Sequence, residues 1–124
     1  MPLALVFAGV FVRLRAILAP YAKHMHVKHD LPGLYYLETI PVPKYGEEVF
    51  FGAVQVTADH VSFHLLPVDV FPELLESISP KLRVHMQGST CFNFRNIQPG
   101  LFSELKALTR AGFDGYKRGG VLGR

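Results

Sequence analysis

The sequence predicts a single α+β domain over residues 1–124, an antiparallel sheet of about five strands with N- and C-terminal helices packed on one face. Three observations lead there. Apolar residues at steps of three and four open the chain, and a similar stretch closes it. Between them lie period-two runs rich in β-branched and aromatic side chains. The links between these runs are short, which favours antiparallel hairpins.

The first helix is expected over about residues 4 to 22, with Phe7, Val10, Phe11, Leu14, Leu18 and Tyr21 on one stripe and Pro20 kinking or ending it. HMHVKHD then alternates Met25 and Val27 with His24, His26 and Lys28, as a strand with one dry face does. After the LPG turn, LYYLETI reads as a second strand, PVPKYGE as a link, and EVFFGAVQVT as a third strand. HVSFHLLPV is a fourth, with Val61, Phe63 and Leu65 on one side and His60, Ser62 and His64 on the other. Pro72 and Pro80 each suit the first turn of a short helix, Ser79 is placed to cap the second, and Gly88 to end it in a left-handed conformation. TCFNF makes a fifth strand, and Pro99 opens a last helix with Leu101, Leu105, Leu108 and Tyr116 inward.

Composition narrows the function classes. The chain is 49% hydrophobic and 19% charged, which fits one compact core and argues against disorder. Thirteen Lys and Arg against ten Asp and Glu leave +3, too mild and too scattered for the dense basic stripe of a nucleic-acid binder. Cys91 is the sole cysteine and cannot form an intramolecular disulfide, so a reducing cytoplasm is expected. MPLALVFAGVFV is too short to span a bilayer, and Arg13 and Arg15 follow it where a secretory signal wants basic residues ahead, so no membrane partner is expected.

Six histidines carry the strongest chemical hint. If the apolar side of each strand meets the helices, then His24, His26, His60, His64, Cys91 and Asn93 fall on the opposite, open face, together with Tyr36, Glu38, Val49, Phe51 and Gln55. Imidazole and thiolate bind iron, zinc or copper, which makes His24, His26, His60 and His64 candidate metal ligands. The spacing matches neither C-x-x-C nor H-E-x-x-H. A nucleophilic Cys91 would need a base in hydrogen-bond reach, and no phosphate loop or nucleophile elbow accompanies it. Tyr36, Phe51, Cys91 and Asn93 are the candidate ligand-binding residues of this face.

FFGAV at 50–54, VSFHLLPV at 61–68 and MQGSTCFNF at 86–94, followed by LFSELKALTRAGFDGYK, resemble the YdhG-like domain family of unknown function. The resemblance runs from about residue 14 to Lys117. It implies a frataxin-like fold, and for one branch an intracellular iron-chaperone role. Frataxin-type iron binding uses an acidic ridge, whereas residues 3–29 here hold no carboxylate, so a metal would fall to the histidines. Where the family often has a basic residue after the glycine at 88, this chain has Ser89.

The reading that follows is a cytoplasmic, non-catalytic binding domain whose open face holds a small ligand, a metal such as iron or zinc, or a partner protein. The alternatives are an enzyme using Cys91 or a sheet-face histidine, and a structural homodimer joined through the same face.

Overall fold

The computed structural model describes residues 2–40 and 48–119, so the PVPKYGE link lies outside the described residues. Helix α1 (Leu3–Leu18) is continued by a 3-10 helix, Ala19–His24, in which Pro20 interrupts the α-helical hydrogen bonding. Strands β1 (Met25–Leu31), β2 (Leu34–Thr39), β3 (Phe50–Val56) and β4 (Val61–Leu65) follow. Helices α2 (Pro67–Val70) and α3 (Pro80–Arg83) flank a 3-10 turn at Pro72–Ser77, and β5 (Met86–Gln87), β6 (Cys91–Phe94) and α4 (Pro99–Arg118) complete the chain. The sheet is antiparallel throughout, in the order β1-β2-β3-β4-β6-β5.

The α+β architecture is therefore the expected one, with a sixth strand added. Met86 and Gln87, read from sequence as the tail of a short helix, pair instead with Phe92 and Cys91. Gly88 does adopt φ 75°, but in the β5–β6 turn and not at a helix end. Ser79 caps α3 as expected, its Oγ accepting from the Leu82 amide at 3.1 Å.

The core lies between the helices and one face of the sheet. Phe7, Val10, Phe11, Leu14, Ile17 and Leu18 of α1, and Leu101, Phe102, Leu105, Leu108 and Tyr116 of α4, bury against Leu37, Val54, Val61, Phe63, Leu65, Phe92 and Phe94. Gly52 lets α1 come close: a Cβ there would stand 3.0 Å from Leu18 Cδ2 and from the His64 carbonyl.

Two irregularities break strict alternation. The β2–β3 register steps from Leu37↔Gly52 to Glu38↔Phe50, leaving Phe51 as an extra residue in a β-bulge. Phe51 joins Gly52 on the helix side, where its ring meets those of Tyr21 (5.8 Å), Tyr116 (5.7 Å) and Phe113 (6.3 Å). Phe50 consequently turns outward, its ring 4.8 Å from that of Tyr36. Tyr116 fastens the bulge, its Oη donating to the Phe50 carbonyl at 2.7 Å. In β1 the register slips at Lys28, so that His29 stands opposite Tyr36.

Removing the Tyr116 hydroxyl tests this fastening. Tyr116→Phe is expected to cost about 1 kcal/mol in urea unfolding, the worth of one hydrogen bond. Burial also raises the Tyr116 phenol above the ordinary 10.0, so folding favours its neutral form. That contribution is complete below pH 10.0 and is withdrawn as pH climbs toward the folded value. The melting temperature should therefore fall above about pH 10, and Tyr116→Phe should remove part of the fall. Tyr21 and Tyr35, raised by the same cause, retain the rest. An equally steep fall in the variant would contradict the assignment.

Candidate functional site

The face of the sheet turned away from α1 and α4 carries one transverse row of side chains. Register places His29 opposite Tyr36, Tyr36 opposite Ala53, Ala53 opposite His64, His64 opposite Cys91, and Cys91 opposite Gln87. The row thus crosses all six strands, and alternation keeps its members on one side. Ala53 at its centre has no side chain beyond Cβ, which makes the middle low and the two ends chemically different.

One end is aromatic and charged. The Tyr36 ring lies between Phe50 and His29, the latter edge-on at 5.7 Å, and Lys28 Nζ is 5.4 Å from the Tyr36 centroid. Glu38, only 8% exposed, accepts from His26 Nδ1 at 2.9 Å and has Lys28 Nζ 4.0 Å away. The His26 hydrogen bond and the Lys28 ammonium offset the cost of burying its carboxylate.

The other end is a hydrogen-bonded cluster built on β4, β6 and β5. Asn93 Oδ1 accepts from Ser62 Oγ at 2.9 Å and from Cys91 Sγ at 3.1 Å, while its Nδ2 donates to Gln87 Oε1 at 2.6 Å. His64 Nε2 is 3.8 Å from Cys91 Sγ. Burial raises the Cys91 thiol above its ordinary value, opposed by the Ser62 hydroxyl. Burial, with His60 adding to it, lowers His64. Both shifts favour the neutral forms, so at pH 7 the pair is a thiol beside an uncharged imidazole, a poor nucleophile but a capable hydrogen-bonding surface. Beyond Asn93 the cluster adjoins a cavity of about 380 Å³ lined by Asp59, His60, His85, Arg95 and Asn96.

Tyr36, His26, His64, Cys91 and Asn93 thus stand on the open face as expected, and three other candidates do not. Phe51 is fully buried in the core, because the bulge reverses its side; Phe50, half-buried, takes its place on the open face. Val49 likewise packs toward the core. His24 ends the 3-10 helix ahead of β1, with its ring 5.3 Å from that of Phe113 on α4, and so shares no face with His26. His60 sits in the turn before β4 and lines the end cavity. The histidines proposed as a metal set are therefore dispersed, and the described residues contain no group of three or more His, Cys, Asp or Glu side chains placed to hold a metal ion.

Ser62 stands beside His64 as alternation predicts. Phe50, His29 and Gln87 were missed as members of the face, because their places depend on two bulges and a two-residue strand. Compared with protein-family models, curated proteins and solved structures, the chain returns no match.

The protonation states have a measurable consequence. Alkylation of Cys91 by iodoacetamide should be slow at pH 7, rise with pH as the thiolate fraction grows, and level off only above the ordinary thiol value of 9.0. His64→Ala should leave the neutral-pH rate within about twofold. Rapid alkylation at pH 7 that collapses in His64→Ala would instead establish an activated thiol–imidazole pair.

Proposed function

We propose that this protein is a non-catalytic cytoplasmic binding domain that engages a partner protein across the open face of its sheet. The observation that carries the reading is the uncovered transverse row, with an aromatic anchor at Tyr36, Phe50 and His29 and a hydrogen-bonding end at His64, Cys91, Asn93 and Gln87. Aromatic side chains are enriched at protein interfaces, and here they share the face with hydrogen-bonding groups along the same row. The breadth of the row suits a flat macromolecular surface better than an enclosed small molecule. The neutral thiol and imidazole support contact over covalent chemistry, which ranks the enzyme reading below this one. Membership of the YdhG-like family belongs to the same proposal and rests on the residues quoted above. A metal-handling role finds no converging donor set among the described residues.

Site-directed photocrosslinking in cells tests the reading. A photoreactive phenylalanine analogue placed at Tyr36 or Gln87 should give one discrete adduct, with position Val84, which is 80% exposed and off the row, giving none. Identical smears from all three positions, or no adduct from the face, would refute it. An adduct of twice the chain mass would mark the partner as a second copy and select the homodimer reading.

A further inference from the structure

Helix α1 is apolar on both sides. Its inward stripe supplies six core residues, yet the outward stripe of Leu5, Ala8, Val12 and Ala16 is also apolar and exposed, Leu5 at 61% and Val12 at 63%. A helix at the surface of a soluble domain ordinarily turns polar residues outward. Ile97, 40% exposed, enlarges the patch: its Cδ1 lies 3.8 Å from where a Cβ on Gly9 would stand. Leu3, 46% exposed, extends it toward the helix start. A contiguous apolar surface of this kind marks an interaction site.

The charges around the patch identify what fits it. No carboxylate occurs before Asp30, so nothing acidic borders the stripe from its own helix. At about 3.6 residues per turn, Arg15 and Arg13 fall on opposite flanks. Arg15 is committed to Asp30, with Nη2 3.0 Å from Oδ2, and lies over the Tyr35 ring. Arg13 and Lys23 are exposed, and the ion pairs of the described residues involve neither. A second copy would lay the same patch upon itself and bring these cations toward their own images. The patch is also a convex ridge, whereas a partner helix is held in a groove. An anionic bilayer surface meets both features, admitting apolar side chains between headgroups while attracting the flanking cations.

We infer that the outward face of α1 is a reversible docking surface for anionic membranes, on the opposite side of the molecule from the sheet face. The segment Leu3–His24 is long and apolar enough to cross a bilayer by length and composition, with 33% of its apolar window buried. Its six core residues hold it against the sheet, so the contact runs along the bilayer surface and not through it.

The test is co-sedimentation of the whole chain with extruded vesicles of phosphatidylcholine, with and without about 30% phosphatidylserine. The chain should sediment with the anionic vesicles, remain in solution with neutral ones, and be released by added salt. Leu5→Glu/Val12→Glu should weaken binding about tenfold or more without lowering the unfolding midpoint, because both side chains are exposed. Arg13→Glu should weaken it by a smaller factor. Failure of the wild-type chain to sediment, equal binding to neutral vesicles, or undiminished binding by the double variant would each overturn the inference. A dimer in solution that the double variant abolishes would assign the patch to a second copy and overturn it too. Because Tyr36 and Gln87 lie on the other face, a negative vesicle result leaves the crosslinking test of the sheet face independent.

Discussion

The extra residue at Phe51 sets the character of both sides of the sheet. A strand that alternated without interruption would send Phe51 outward and turn Phe50 inward, one residue along from the space among Tyr21, Phe113 and Tyr116 that Phe51 fills. Core space filled at the wrong place costs packing, so the core selects the bulge. Tyr116 then binds the Phe50 carbonyl that the bulge presents, and the C-terminal helix fixes a local feature of the third strand from 66 residues away. This coupling turns Phe50, half-buried, to the open face beside Tyr36 and creates its aromatic end.

The polar end has a different origin. β6 brings Cys91 and Asn93 beside His64 and Ser62 of β4, and the short β5 adds Gln87. The side-chain hydrogen bonds among Ser62, Cys91, Asn93 and Gln87 leave this end polar yet uncharged, and the described residues contain no buried side-chain nitrogen or oxygen without a partner. Half-burial favours the protonated Cys91 thiol and the neutral His64 imidazole, in keeping with the binding role proposed above. The contrast between an aromatic, cation-bordered end and an amide-rich end gives the face a direction, one that the proposed partner would meet in a single orientation.

Much of the fold was legible because its signals are local and periodic. The two helical stripes, the inward Val61, Phe63, Leu65, Phe92 and Phe94, and the Ser79 cap follow from spacing alone, and all of them hold. The errors of side within strands have one physical source. Period-two reasoning carries sides along a strand only while the strand is regular, and the bulges at Lys28 and Phe51 shift the side by one residue. His24 failed for a related reason, since the 3-10 turn runs to the residue before Met25 and removes it from the strand. Strand order was not legible either, because the pairing of β4 with β6 and the addition of β5 at the edge come from long-range packing. Hence Cys91, Asn93 and His64 could each be assigned a side, but their meeting had to come from the structure.

The most direct test of this account is a set of through-space proton contacts among aromatic rings, measured by NMR on the folded protein with selectively labelled Phe and Tyr. Contacts are expected from Phe51 to Phe113 and Tyr116, and from Phe50 to Tyr36. Contacts from Phe51 to Tyr36, with Phe50 against the C-terminal helix, would restore strict alternation in β3 and contradict both the bulge and the face built upon it.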